Sequence, residues 1–443
     1  MKVVHVANVY LPVISGVASS VANVVRGQKR CGHDALVITT QVRWKGCREV
    51  DVFRVPAFPD FEGVGLPISR PFDHRVGAAI REFQPDIVHL HQPFALCRLA
   101  LNAAHRMKIP TVFSYHTKYE YYRHNMPVPD SVGYDLCRRV TVDFANHVGQ
   151  VISPSSDMKE RLQRWGVKRK IDVIPTGLGK EFFQPVPSNS FRIRYHLGPD
   201  TKVMLYVGRL AREKNLSFLL NVFERLAGQN HDLALVMVGS GPFRPVLEKR
   251  IQDLALQERA VFTGPLQGED LREAYQSSDI FVFSSLSETQ GLSLLEAMAS
   301  GLPAVVLDAD GMRDFVIENR TGFLVTGGVS PFAQECQKLL RDGHLAKRMG
   351  KKGHEVARLY SVEQQAARTV EVYEKLLSPG KQGIARPRYR FFQSCGEIRI
   401  LFGLLSLRTF LRLLGVLGHQ ALAQLETVRE ELVLLASLEK RKH

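Results

Sequence analysis

The feature that most constrains this chain is a rhythm that runs twice. Short apolar runs rich in Val and Ile alternate with segments of helical period, pause, and start again. Residues 3–7 lead into a pattern with apolar Val17, Val21, Val24 and Val25, which stops at Gly32 before the run 35–39. Runs at 86–91, 111–115, 148–153 and 171–175 continue the series. Such runs, apolar on both faces, predict strands of a parallel sheet covered by helices. The polar stretch 184–190, with Pro185 and Pro187, interrupts and predicts a linker. The rhythm resumes with runs at 203–207, 233–238, 261–263, 280–284 and 304–307.

Two doubly wound α/β domains are therefore expected, over residues 1–184 and 185–360. Length agrees, because 443 residues exceed the roughly 250–300 that one core serves. Ser361-Val362-Glu363-Gln364 is a capping-box start and opens a helix over 361–378, expected to cross back to the first domain. Residues 379–443 differ in kind. Arg386-Pro387-Arg388-Tyr389-Arg390-Phe391-Phe392 is basic and aromatic, and the apolar run 400–417 is interrupted by Arg408 and Arg412. A three-four spacing through Leu414, Gly418, Ala421, Leu425, Val428, Leu432 and Leu435 predicts an appended helical element.

The net charge of +15 asks for an anionic partner: nucleic acid, an acidic membrane surface or a phosphate-bearing ligand. No interleaved aromatic platform or known module supports nucleic acid. None of the six cysteines forms a C-x-x-C pair, and they read as reduced thiols of a cytosolic protein. The N-terminus reads as a strand rather than a signal peptide, and no uninterrupted run reaches the 18 or so apolar residues of a spanning helix.

The chemistry concentrates at strand ends. Ser287-Glu288-Thr289-Gln290-Gly291-Leu292-Ser293 follows a strand and opens a helix that carries Glu296. Free N–H groups at Gly291, Leu292 and Ser293, with the positive end of the helix dipole, suit a phosphate. Glu288 and Glu296, eight residues apart, suit hydroxyl groups on either side of it. Taken alone, Glu288 reads equally as a cap and Glu296 as a surface charge. Gly208-Arg209-Leu210-Ala211-Arg212-Glu213-Lys214-Asn215 puts Arg209 and Lys214 after another strand, where two cations can neutralise a pyrophosphate. Gly239-Ser240-Gly241-Pro242 also follows a strand but is a weak signal. In the first half, Ser15-Gly16-Val17 lets backbone approach a ligand, and His116 ends a strand. The absence of G-x-G-x-x-G at that first turn argues against a dinucleotide dehydrogenase.

In this order, Ser15-Gly16-Val17, His116, the Gly208–Asn215 segment and the pair Glu288 and Glu296 resemble the retaining GT-B glycosyltransferases, a family that includes sucrose, trehalose and mannosyl transferases. The resemblance spans about residues 1–378. It implies a GT-B fold, two Rossmann-like doubly wound domains facing a cleft, here with a C-terminal helical extension. Glu296 would then hold the ribose of a nucleotide sugar. Arg209 and Lys214 would stabilise the departing diphosphate, and Gly16 would bring a backbone N–H to it. Glu288 and His116 would contact the transferred sugar. Attack on the same face, with the departing phosphate taking the acceptor's proton, needs no protein nucleophile. No metal or other cofactor is expected, the two cations standing in for one.

His116-Thr117-Lys118-Tyr119-Glu120-Tyr121-Tyr122-Arg123-His124 and Ser287-Glu288-Thr289-Gln290-Gly291-Leu292 further resemble the bacterial diacylglycerol glucosyltransferases. Asn125, where an aromatic residue is expected, and the C-terminal extension depart from that pattern. The likeness implies a UDP-hexose donor, a lipid acceptor and a peripheral place on the inner face of the cell membrane. Tyr119 and Glu120 are the expected acceptor contacts. Arg70, Phe72 and Arg75 belong to residues 66–84, read as a basic amphipathic helix for an anionic surface, or else as a helix packed on its own sheet. The terminal helix is a second candidate for membrane contact, or a seam for a homo-oligomer. A soluble sugar or polysaccharide acceptor, and a sugar-nucleotide epimerase, stand as alternatives.

Overall fold

A computed structural model describes residues 1–378, apart from Ile14 and residues 42–49, 59–67, 70–72, 122–128 and 187–189. The extension 379–443, Arg70 and Phe72 lie outside the described residues.

The first half contributes strands β1 (Lys2–Ala7), β2 (Asp34–Thr40), β3 (Val52–Val55), the two-residue pair β4 (Ala57–Phe58) and β5 (Ile68–Ser69), then β6 (Ile87–Leu90), β7 (Thr111–Ser114), β8 (Gln150–Ser153) and β9 (Ile171–Val173). Seven of them form one parallel sheet in the order β3-β2-β1-β6-β7-β8-β9. The second half contributes β10 (Lys202–Val207), β11 (Leu233–Val238), β12 (Ala260–Gly264), β13 (Ile280–Phe283), β14 (Ala304–Leu307) and β15 (Gly322–Val325). They form a parallel sheet in the order β12-β11-β10-β13-β14-β15. Parallel neighbours need crossovers, and helices such as Gly16–Arg30 between β1 and β2 and Leu216–Ala227 between β10 and β11 supply them; strands such as Leu233–Val238 are buried throughout. The expected strands are present, some trimmed at their ends; β3 and β15 are additions at the sheet edges.

Both sheets reverse their winding direction once, between β1 and β6 and between β10 and β13. Crevices outside the carboxyl ends of strands at such reversals are where open α/β sheets bind ligands. The helix Val362–Leu377 returns to the first domain. Ser361 caps it by accepting from the Gln364 N–H at 3.2 Å, and Leu178 pairs with Ser361 in a single bridge. The helix lies so close to Gly16–Arg30 that a Cβ on Gly27 would stand 2.6 Å from that of Ala366. Only glycine permits this approach.

The 66–84 region differs from the membrane-surface reading. Its described helix is Arg75–Phe83, and Val76, Ala79 and Ile80 are buried against the helix Ala95–Arg106. The apolar face is thus spent on the protein's own core. Arg75 is half-exposed and pairs with Asp73 at 2.5 Å. No helix among the described residues is long and apolar enough to cross a membrane.

Candidate active site

The carboxyl ends of the central strands bring the sequence candidates together. Gly16 opens the first helix after β1, and Ser15 caps it by accepting from the Ala18 N–H at 3.1 Å. A Cβ built on Gly16 would meet nothing within 4 Å among the described residues. Arg209 and Lys214 follow β10; Glu288 follows β13. Gly291 caps the helix Leu292–Ala299 with φ +73°, a left-handed backbone that glycine adopts without strain. A Cβ there would also stand 2.4 Å from the Met312 Cε. This turn leaves the N–H groups of Leu292 and Ser293 at the start of the helix.

Lys214 and Glu288 form the centre. The Lys214 Nζ lies 2.5 Å from Glu288 Oε1 and 3.3 Å from Ser287 Oγ. Ser285 Oγ donates to the same carboxylate oxygen at 2.9 Å. Burial pushes the Glu288 carboxyl up, but Lys214 and Ser285 outweigh it and hold it below its usual value. Glu296 is the opposite case. Burial raises its carboxyl to about 7, although Tyr275 opposes this by donating its hydroxyl at 2.7 Å. The two glutamates therefore differ in charge at neutral pH, one ionised and one near half-titration. Arg209 is half-buried, and its backbone carbonyl accepts from the Tyr206 hydroxyl at 3.1 Å.

Contacts between the halves close the arrangement. Thr289 Oγ1 donates to the His116 carbonyl at 2.9 Å, which sets the Glu288 loop against the end of β7. Gln290 makes two bonds to the Thr176 backbone, at 2.7 and 2.9 Å. Half-buried, His116 has its imidazole lowered to about 4 by burial, so the ring is neutral. Lys118, fully buried, reaches Asp310 at 3.3 Å, and Arg161 bridges Asp310 and Glu120.

Tyr119 and Glu120 sit inside. Tyr119 packs edge-on against Phe94, with ring centres 4.8 Å apart, and Glu120 is held by Arg161 at 3.1 Å. Both are buried and support the loop rather than offering a surface. Asp308-Ala309-Asp310 has the Asp-x-Asp spacing of a metal motif, but Asp308 pairs with Arg313 at 2.7 Å and Asp310 with Lys118 and Arg161. The nitrogens of His5, His89 and His91 lie within 4.8 Å of one another. Their rings are stacked or tilted face to face and spend those nitrogens on hydrogen bonds. These histidines were not among the residues singled out from the sequence; the signal it carries is the alternating His89-x-His91 pair inside an apolar strand run, while their meeting with His5 comes from the register of β1 with β6.

Residues 189–356 match the family described as Glycosyl transferases group 1, and residues 14–181 match Glycosyltransferase Family 4. A GDP-mannose-dependent alpha-mannosyltransferase of Mycobacterium tuberculosis is 34% identical over 74% of this chain and 84% of its own length. The chain is a group 1 glycosyltransferase of GT-B fold. Other glycosyltransferases align comparably. The alpha-monoglucosyldiacylglycerol synthase of Streptococcus pneumoniae is 28% identical over 74% of this chain and 76% of its own. Among solved structures, Anabaena HepE in complex with UDP-glucose superposes with a TM-score of 0.68 at 19% identity, covering 84% of this chain and 100% of that one. That likeness speaks to the fold alone. This glycosyltransferase is thus an enzyme of hexosyl transfer whose two sheets carry Gly16 and His116 on one side, and Arg209, Lys214, Glu288 and Glu296 on the other.

Proposed function

We propose that the enzyme moves a hexose, with retention, from a UDP-sugar to a lipid acceptor of the diacylglycerol class, working as a peripheral protein on an anionic membrane face. The observation that carries the transfer chemistry is the 2.5 Å pair of Lys214 and Glu288 beside His116. It sets a cation and a hydroxyl acceptor within hydrogen-bond distance of each other, where one ligand presenting a phosphate and a sugar would meet both. Lys214 and Arg209 offset the charge that grows on the diphosphate as the glycosidic bond breaks, without a metal. Preorganised charge of this kind is usually the largest catalytic contribution. Glu288 accepts from hydroxyls of the sugar, Glu296 from the ribose, and His116 orients the sugar. The N–H groups at Gly16 and at Gly291, Leu292 and Ser293 hold phosphate oxygens. The departing phosphate takes the acceptor's proton, so no protein nucleophile is needed.

The lipid acceptor is supported by the likeness to the diacylglycerol enzymes and by the net charge of +15. With the face of Arg75–Phe83 packed inward, membrane contact falls to the 379–443 segment. A second reading, GDP-mannose as donor, is favoured by the 34% identity to the mycobacterial mannosyltransferase.

The test is a panel of UDP- and GDP-sugars with anionic liposomes containing diacylglycerol, read by lipid mass spectrometry. The expected product is a hexosyl-diacylglycerol from a UDP-sugar. A mannolipid formed only from GDP-mannose would replace the donor. Transfer to soluble sugars with none to lipid would remove the acceptor reading.

A further inference from the structure

Behind His116 lies an unbroken chain of buried polar groups that the transfer chemistry does not use. His116 Nε2 is 2.9 Å from His91 Nδ1. His91 Nε2 is 3.1 Å from His5 Nδ1, and His5 Nε2 is 2.7 Å from Gln28 Oε1. Gln28 Nε2 donates to the Tyr373 hydroxyl at 3.0 Å. That hydroxyl lies 2.6 Å from His89 Nδ1, and His89 Nε2 lies 2.7 Å from Ser114 Oγ. His5, Gln28, His89 and His91 are within 1% of fully buried, and Tyr373 is wholly buried. Both ends of the chain, His116 and the His89–Ser114 pair, line one small cavity.

Burial keeps each of these imidazoles neutral: His5 falls to about 4, and His89 and His91 lie well below their usual value. A neutral imidazole has one donor and one acceptor nitrogen, so a chain of them has a direction. Gln28 decides it, because its carbonyl can only accept and its amide N–H can only donate. Its carbonyl faces His5, so His5 carries its proton on Nε2 and accepts on Nδ1. His91 then donates from Nε2 and accepts on Nδ1, and His116 donates from Nε2. On the other side the Gln28 amide donates to Tyr373, which donates to His89, which donates to Ser114. Reversing the direction means turning the Gln28 amide over and moving the proton on every ring.

We propose that Gln28, held by Tyr373 of the crossing helix, is a positioning residue for sugar transfer: through His5 and His91 it fixes His116 as the Nε2–H tautomer and leaves Nδ1 as the acceptor offered to the sugar. The helix Val362–Leu377, whose Gln365 and Thr369 line the same cavity as His116, thereby acts on the site through the buried chain. A sugar hydroxyl can donate or accept, so the wrong tautomer slows transfer rather than abolishing it. The inference rests on the reading that His116 meets the sugar, but the tautomer itself is measurable without substrate.

The experiment uses the full chain labelled with ¹⁵N-histidine, with the His116 signals assigned by their loss in His116→Gln. Wild type is expected to show a protonated Nε2 and a bare Nδ1. In Gln28→Leu the His116 signals should move to a mixture of tautomers. In the same variant kcat should fall about ten-fold with the donor KM within about two-fold, the pattern of a lost transition-state interaction. Gln28→Glu still presents an oxygen to His5, ionised or not, and should restore both the tautomer and most of kcat. Tyr373→Phe frees the Gln28 amide to turn and should also mix the tautomers, which keeps the test open should Gln28→Leu fail to fold. A wild-type Nδ1–H tautomer, or a His116 signal unmoved in both variants, overturns the proposal. So does a mixed tautomer with unchanged kcat. Failure of wild type to use any hexose donor would instead count against the proposed transfer, and the ring signals would still report on the relay.

Discussion

In the first sheet β1 and β6 meet at His5 and His89; at the matching place in the second sheet β10 and β13 meet at Leu205 and Phe281. Both pairs flank the point where the winding reverses, and all four residues are buried. The second half keeps its sheet apolar and sets its charges outside, on the loops after β10 and β13. The first half runs polar groups through the sheet interior, from His116 to the helix Val362–Leu377. An apolar pair is the simpler way to fill a parallel sheet, as β10 and β13 show. The buried imidazoles survive because every one is hydrogen-bonded to another group of the chain. The comparison separates two arrangements: charges set on loops at the edge of the second sheet, and a buried hydrogen-bonded chain threaded through the first that ends on His116.

The largest expected effect is on the second half's charges. Lys214→Ala should lower kcat/KM by about a hundred- to a thousand-fold, the scale seen when one preorganised stabilising group is removed. It also leaves the burial of Glu288 less opposed, so that carboxyl should titrate higher. Glu288→Gln keeps the shape without the charge and should fall in the same range. Both should retain the wild-type circular dichroism spectrum. Nucleotide release from the donor, followed at saturating and limiting concentrations, measures the effect; a folded Lys214→Ala enzyme turning over at the wild-type rate would break the assignment.

Next comes a swap that tests the apolar interior itself. Phe281→His introduces an imidazole with no partner into the second sheet and should cost about 3 kcal/mol, combining lost packing with an unsatisfied polar group. His89→Leu removes a ring whose partners, Tyr373 and Ser114, are hydroxyls that can re-bond, and should cost about 1–2 kcal/mol. Urea midpoints at constant slope give both values. If Phe281→His proved the milder change, the two interiors would not differ in the way described.

This contrast also marks what could be read from the amino acids alone. Leu233–Val238 and Ala304–Leu307 were legible because every residue is apolar and a helix pattern flanks each. Val52–Val55 was not, since Arg54 interrupts a four-residue edge strand, and Gly322–Val325 opens on a glycine. In each case a non-apolar residue breaks a run of only four residues, too short for a period to show. The placement of Lys214 and Glu288 after strands, and of Glu296 on the helix that follows, was legible because the flanking runs are apolar and the order and spacing repeat a family pattern. The histidine chain was not. His5 and His89 read only as polar breaks in apolar runs, and what joins them is the parallel register of β1 with β6. That register is a property of the folded sheet. The inward packing of Val76, Ala79 and Ile80 was hidden for a similar reason: an amphipathic stripe does not say which apolar surface covers it.

A smaller effect is expected at Glu296, whose carboxyl is raised to about 7. The folded protein holds that proton more tightly than the unfolded chain. The stability it contributes is therefore complete below the unfolded value of 4.5 and is lost as pH rises through about 7. Glu296→Gln removes this dependence. Its melting temperature should match wild type near about pH 5 and exceed it near about pH 8. Nucleotide affinity should move the other way in wild type, tightening as the carboxylate forms and becomes able to accept ribose hydroxyls. The profile should flatten in the variant. Parallel melting and binding curves for the two proteins across this range would place the titration elsewhere.

The smallest effect tests whether the crossing helix matters through its inside or its surface. Arg30 and Gln28 lie two residues apart on the same helix, and each reaches across to Val362–Leu377. Arg30 pairs with Glu363 at 2.8 Å, with the two side chains 50% and 53% exposed. Water and salt screen such a pair, and holding two long side chains in one geometry costs entropy, so it should contribute no more than about 0.5 kcal/mol. Gln28 is wholly buried and makes both of its bonds to groups that have no water to turn to. Arg30→Ala should therefore leave kcat and the His116 tautomer unchanged and shift the urea midpoint by less than that amount, with the shift vanishing in high salt. The same two readouts in Gln28→Leu should both move. If Arg30→Ala slowed transfer as much as Gln28→Leu, general docking of the helix would explain the coupling, and the direction imposed by the Gln28 amide would not be needed.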